Sequence, residues 1–138
     1  MLQINPTKKL NKINIDGIVY SINEVEKTAN VANVQSIINE IFFPCSINYN
    51  TNEYTVISIS EHAFLQVSTI RSVKFAPDSK LQMIEKKSFE GSSIESISIP
   101  PHLTIIGEHA FDNCRNLKIV EIPSNSELQV IEREAFSN

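Results

Sequence analysis

Four phenylalanines recur at a nearly constant spacing from residue 64 to residue 136, and each one closes a similar run of residues. They are Phe64, Phe89, Phe111 and Phe136, which stand 25, 22 and 25 residues apart. An apolar pair precedes each of them by eight and five residues: Val56 and Ile59, Leu81 and Ile84, Leu103 and Ile106, and Leu128 and Ile131. A register that holds four times at this period indicates a repeat protein, in which each unit buries its apolar side against its neighbours.

A second apolar element separates each phenylalanine from the next apolar pair. It is a triplet, seen as Ile70, Val73 and Phe75, as Ile94, Ile97 and Ile99, and as Leu117, Val120 and Ile122. The alternation and the Ile and Val content favour a short strand with one buried face. Proline follows each triplet closely and would end the strand, because it has no N–H group for the ladder. We therefore predict a mainly β solenoid with short parallel strands and about four repeats of 22–25 residues.

The same template extends toward the N-terminus. Ile38, Ile41 and Phe43 repeat the triplet, and Pro44 follows it. The stretch from Pro44 to the next phenylalanine is longer than in the later units. The surplus predicts a hairpin at residues 47–56 with its turn at residues 50–53.

Residues 31–43 also allow a helix. Their apolar residues at positions 31, 34, 37, 38 and 41 fit the stripe of an amphipathic helix. We favour the strand, because Phe42, Phe43 and Pro44 match the strand position of the repeat.

Composition argues against several classes of function. The 138 residues are 41% hydrophobic and 20% charged, as in an ordinary folded domain. The net charge of −4 and the scattered basic residues disfavour binding of nucleic acid, which needs clustered Lys and Arg. No apolar run approaches the roughly 18 residues of a spanning helix, and the N-terminal residues lack the apolar centre of a signal peptide. We expect no nucleic-acid partner, no membrane insertion, and a chain that stays in the cytosol or begins after a removed signal.

No grouping of side chains indicates catalysis or a cofactor. His62, His102 and His109 have no nearby ligand at a recognised spacing, and the first and last of them occupy equivalent Glu-His-Ala-Phe positions. That equivalence favours an exposed turn residue over a metal ligand or a general base. Cys45 and Cys114 are predicted to be free thiols that are buried or half-buried. The sequence therefore predicts no enzyme, no metal and no cofactor.

The repeat resembles a known family. Residues 110–117, AFDNCRNL, and residues 103–111, LTIIGEHAF, are similar to the BspA-like leucine-rich repeat, which occurs in bacterial surface proteins and abundantly in those of Trichomonas. The clear resemblance covers about residues 54–138. It implies a leucine-rich repeat solenoid that binds proteins without catalysis and is exposed at the cell surface or secreted.

In that family a pair of strands precedes the first repeat, and two segments of this chain correspond to it. Residues 13–22 and 27–34 are predicted as strands around Asn23 and Glu24, with a turn at Asp16 and Gly17. Such a cap would shield the first end of the core from water. We therefore divide the chain into an N-terminal β-hairpin cap at residues 1–37 and a solenoid at residues 38–138, packed as one compact unit.

The strand positions between the buried residues predict a protein-binding face, because repeat solenoids expose extended surfaces of this kind. These positions hold Glu40, Phe42, Ser72, Lys74, Ser96, Ser98, Ile119 and Glu121. The alternative is that they are solvent-facing positions that simply vary. The identity of the protein partner does not follow from the sequence.

The last repeat predicts a second surface. The sequence ends at Phe136, Ser137 and Asn138, directly after the motif that elsewhere leads into another strand. Either the chain is a fragment of a longer protein or two chains stack end to end, since two-fold closure is common among identical subunits. We expect a homo-oligomer through residues 112–138. The candidate residues for self-association are Cys114, Leu117, Ile119, Leu128, Ile131 and Phe136.

Two functions remain open. The first is a surface or adhesion module that binds another protein, as the resemblance implies. The second is an intracellular scaffold whose main partner is itself.

Overall fold

The computed structural model describes residues 10–137, which form an all-β structure. The strands are β1 (Leu10–Ile15), β2 (Ile18–Asn23), β3 (Thr28–Val34), β4 (Glu40–Phe43), β5 (Ser46–Tyr49), β6 (Asn52–Ile59), β7 (Ser72–Phe75), β8 (Met83–Ile84), β9 (Ser96–Ser98), β10 (Ile105–Ile106), β11 (Ile119–Glu121) and β12 (Val130–Ile131). Within the described range, no helix has the length and apolar character needed to cross a membrane.

The strands form two sheets. Sheet A contains eight strands in the order β1-β2-β3-β6-β8-β10-β12, with β5 paired to β6, and sheet B contains β11-β9-β7-β4. The four coils consist of β4 with β6, β7 with β8, β9 with β10, and β11 with β12, and successive coils pair in parallel in both sheets. The apolar side chains of the coils form one core. The predicted solenoid of about four turns is confirmed.

The cap is an antiparallel meander joined to the first coil. Strands β1, β2 and β3 pair in order, and β3 pairs in parallel with β6. Asp16 and Gly17 have φ angles of 52° and 86°, as the two-residue turn of a tight hairpin requires. The segment at residues 13–22 is therefore two strands joined at the predicted turn. The part of the predicted cap at residues 1–9 lies outside the described residues.

The region before the second coil contains the predicted hairpin and not the alternative helix. Strands β5 and β6 pair antiparallel with Tyr49 opposite Asn52, and Asn50 and Thr51 form the turn with positive φ angles. Residues 31–43 contribute to β3 and β4 instead of a helix. Pairing of β4 with β7 provides the backbone partners that decide between the two patterns.

The phenylalanines form one continuous stack through the core. Phe64, Phe89 and Phe111 are fully buried, and successive ring centroids from Phe64 to Phe136 lie 4.8, 5.1 and 5.1 Å apart with planes within 9° of parallel. Phe43 packs edge-on against Phe64 at 6.0 Å. The centroid distances from Phe64 to Phe136 match the spacing of about 4.8 Å between strands, so the ring stack repeats with the coils.

Left-handed backbone positions recur two residues before and two residues after the phenylalanines. They are His62, Lys87, His109 and Glu134 before the ring, and Gln66, Gly91 and Asn113 after it, with φ angles of 55–69°. This turn points backbone N–H groups toward the next coil. The N–H of Phe89 donates to the carbonyl oxygen of Ala110 at 2.8 Å, and the N–H of Phe111 donates to that of Ala135 at 2.7 Å. Left-handed backbone costs a residue with a side chain roughly 1–2 kcal/mol, and these inter-coil bonds offset that cost.

Substituting Phe89 with alanine is expected to lower the free energy of unfolding by about 3–5 kcal/mol, because the ring is fully buried and stacked on both sides. Urea unfolding measures the loss. Phe42→Ala serves as the control: this side chain is 59% exposed, so its loss should stay within about 0.5 kcal/mol. Equal losses in the two variants would contradict the stack as the main element of the core.

Candidate functional site

The eight residues predicted as a protein-binding face lie together on the solvent side of sheet B. The register of the sheet aligns Glu40, Ser72, Ser96 and Ile119 in one row. It also places Phe42 beside Lys74, and Ser98 beside Glu121. The residues between them point into the core. We call these eight residues the outer face.

The outer face is shallow, with a large apolar residue on each of its edge strands. Phe42 on β4 is 59% exposed and Ile119 on β11 is 53% exposed. Ser72 and Ser96 lie between these strands, and their short side chains leave the middle of the face flat. The hydroxyl of Ser98 donates to the carboxylate of Glu121 at 2.9 Å. This arrangement offers contact area to a polypeptide rather than an enclosed site for a small substrate.

An open cleft of about 490 Å³ adjoins the outer face where the strands of sheet B end. Its lining consists of Phe42, Lys74, Phe75, Ala76, Pro77, Ser98, Ile99, Pro100, Pro101 and Pro123. We call this cleft the proline groove. From the sequence alone, these prolines are predicted only to end the strands. The signal was their recurrence one or two residues after the triplet of successive repeats, which brings them to a single edge of the sheet.

The last described coil exposes residues whose counterparts are buried. Ile131 is 52% exposed, against 0% for Ile106, and Phe136 is 36% exposed, against 1% for Phe111. We call the exposed set the terminal coil face. It comprises Ile122, Ile131 and Phe136, whose counterparts are buried, and Ile119 and Val130, whose counterparts Ser96 and Ile105 are partly exposed. Three of these residues were predicted, and Ile122 and Val130 were missed, although Ile122 stands at a triplet position of the repeat.

Backbone groups on this coil are open as well. The N–H of Phe111 donates to the carbonyl of Ala135, whereas the N–H of Phe136, at the same place in the next coil, has no backbone partner among residues 10–137. The N–H of Glu134 likewise has no backbone partner among residues 10–137. The terminal coil face therefore combines apolar side chains with unpaired donors, as an uncovered strand edge does.

The other three residues predicted for self-association are less accessible. Leu117 and Leu128 are half-buried against the core. Cys114 is buried, and its Sγ donates to the carbonyl oxygen of Phe89 at 3.0 Å and lies 3.6 Å from the hydroxyl of Ser92. Its side chain therefore faces the preceding coil. Cys45 and Cys114 are both free thiols.

Burial raises the pKa of Tyr20 to about 12, and it shifts two further titratable groups. It raises the pKa of the Cys114 thiol, so this sulfur is not prepared as a nucleophile, which requires the thiolate. It also raises the pKa of Glu85, and the negative charge of Glu61 adds to this shift, while a backbone hydrogen bond from Glu61 opposes it. Neither shift accompanies a base or an oriented nucleophile in a pocket.

The equivalent histidines differ in exposure. The side chain of His62 is 48% exposed, whereas that of His109 is half-buried beside acidic groups. Its Nδ1 lies 2.9 Å from a carboxylate oxygen of Asp112 and 3.5 Å from one of Glu134. Ligand atoms of these three residues lie within 4.8 Å of one another and would suit a cation. The hydrogen bond to Asp112 gives His109 a role within the turn.

Comparison with known proteins identifies the family. The family model for the BspA type leucine-rich repeat region matches residues 35–138 in six copies. The chain therefore belongs to the BspA-type leucine-rich repeat family. No curated protein matches it.

Two solved structures illustrate the likeness of fold. The chain is similar to the pneumococcal vaccine antigen PcpA, with 23% sequence identity and a TM-score of 0.63 over 94% of this chain and 42% of that one. It is also similar to a leucine-rich repeat protein from Bacteroides capillosus, with 16% identity and a TM-score of 0.52 over 88% and 87% of the two chains. The chain thus spans less than half of the pneumococcal protein.

Family membership and fold together support a protein-interaction module. The family is generally non-enzymatic, which favours the prediction of a non-catalytic chain. The predicted leucine-rich repeat resemblance is confirmed.

Proposed function

We propose that this chain is a non-catalytic module that binds a protein partner at the cell surface through the outer face of sheet B. The observation that carries the proposal is the exposure of Phe42 and Ile119 on the solvent side of sheet B. Exposed aromatic and aliphatic residues on a flat polar surface are suitable anchors for a protein interface.

Two further features support this proposal. The inward residues of sheet B carry the core, so the outward residues are free to vary with the partner. The repeat family occurs in bacterial surface proteins, and the pneumococcal vaccine antigen PcpA has a similar fold.

Photo-crosslinking from the outer face tests the proposal. A benzoylphenylalanine introduced at Ser96, in the middle of the face, should crosslink a partner on intact cells of the source organism. The same group at Gln82, which is exposed beside sheet A, should not. Adding Phe42→Ser to the Ser96 variant should remove most of the crosslinked product. It should leave the melting temperature nearly unchanged, because the Phe42 side chain is mostly exposed to solvent.

Equal crosslinking from Gln82, or crosslinking insensitive to Phe42→Ser, would reject the outer face as the binding surface. A product that forms only after the cells are permeabilised would instead favour an intracellular scaffold.

The terminal coil face favours a second candidate function, self-association. Two copies that meet at this face would cover Ile131 and Phe136, continue both sheets, and extend the ring stack with the outer side of Phe136. A two-fold axis at the interface makes the same patch serve both chains. The cap occupies the other end of sheet A, so the C-terminal ends are the ones to meet.

Light scattering at tens of micromolar should then give a mass of twice the 15.5 kDa of the single chain. Ile131→Lys should shift the mass to that of the monomer, because it places a charge in the buried centre of the interface. Phe42→Ser, on the outer face, is the control and should leave the dimer intact. A monomer mass for the unsubstituted chain contradicts self-association.

A further inference from the structure

The proline groove, which adjoins the outer face, is lined mainly by apolar residues. Phe42 forms one side, and Pro77, Pro100 and Pro101 line the cleft where β7 and β9 end. The groove thus lies across neighbouring coils rather than within one repeat. The Phe42 side chain is 59% exposed.

The backbone around the groove has few free hydrogen-bonding groups. Proline has no N–H group. The carbonyl oxygens of Pro100 and Pro123 accept hydrogen bonds from Leu103 and Ser126, and the N–H of Ala76 donates to Phe43. A ligand of the groove would therefore gain affinity mainly from burial of apolar surface. This chemistry suits an apolar side chain.

One charged side chain lines the groove. Lys74 is exposed, and it makes no ion pair with any residue in the described part of the chain. The neighbouring Ser98 hydroxyl is already bonded to Glu121. The ammonium group at the edge of an apolar cleft is therefore complementary to a ligand that carries a carboxylate beside its apolar side chain.

We propose that the proline groove binds an extended peptide segment of the partner protein in which an apolar residue adjoins an acidic one. The apolar side chain packs between Phe42 and the prolines, and the carboxylate pairs with Lys74. This inference rests on the proposed function of the outer face and specifies the chemistry of the partner.

The pair between Lys74 and a carboxylate is exposed to solvent, so its contribution to selectivity is modest, at about three-fold in affinity. The chain carries a net charge of −4, which disfavours acidic ligands in general. A preference for an acidic peptide must therefore come from the local charge at Lys74.

Two short synthetic peptides test the inference. One alternates leucine with aspartate between terminal glycines, the other has lysine in place of aspartate, and both are acetylated and amidated. In an NMR titration, the amide signals of Lys74, Ala76 and Ser98 should shift in a saturable manner, and the aspartate peptide should bind about three-fold more tightly than the lysine peptide. Lys74→Glu should reverse this order.

Lys12→Glu provides the matched control, since it makes the same change of net charge on strand β1 of the cap and should preserve the order. Phe42→Ser should weaken both peptides by about five-fold. An unchanged order in Lys74→Glu, shifts that map to the terminal coil face, or no saturable shifts with either peptide would overturn the inference. Crosslinking from Ser96 would still stand in those cases, so failure of the groove is distinguishable from failure of the outer face.

Discussion

The contact on which the rest of the structure depends is the stacking of one coil on the next. Within the described chain, a single repeat has two short strands and one phenylalanine of the ring stack, and it cannot bury its apolar side alone. Stacking brings Phe64, Phe89 and Phe111 ring to ring, and it pairs the backbone N–H of each of these residues with the following coil. These inter-coil hydrogen bonds stabilise the left-handed turns around the buried rings.

Function follows from what stacking leaves free. The inward residues of sheet B carry the core, so its outward residues serve no packing purpose and can specialise. Phe42, Lys74 and the prolines form an edge that is apolar and positively charged at once. At the last described coil, Ile131 and Phe136 pack against the preceding coil on one side only, and their other side is exposed. The two candidate surfaces are thus consequences of one construction.

Much of the fold could be predicted because the repeat constrains it. The spacing of the phenylalanines marks the four coils, and the triplets with their prolines mark the strands of sheet B. The helical stripe at residues 31–43 was misleading, because pairing with β7 outweighs local periodicity. The periodicity of a segment depends on that segment alone. Its pairing as a strand depends on a partner strand elsewhere in the chain, here β7 at residues 72–75.

The candidate site was predictable only in part. Alternation along the strands is enough to place Glu40 and Phe42 outward, and the register then assembles the outer face. The proline groove required the prolines of different coils to be seen side by side. Cys114 shows the opposite case: a cysteine in a turn can face solvent or the preceding coil, and only the packing near Phe89 and Ser92 places it inside.

Hydrogen exchange at the phenylalanine amides tests coil stacking most directly. At a concentration where the chain is monomeric, the N–H groups of Phe64, Phe89 and Phe111 should exchange slowly, because each donates to the next coil. The N–H of Phe136, in the same local turn but without such a partner among residues 10–137, should exchange much faster. Similar rates at Phe111 and Phe136 would contradict the claim that inter-coil contacts hold this fold together.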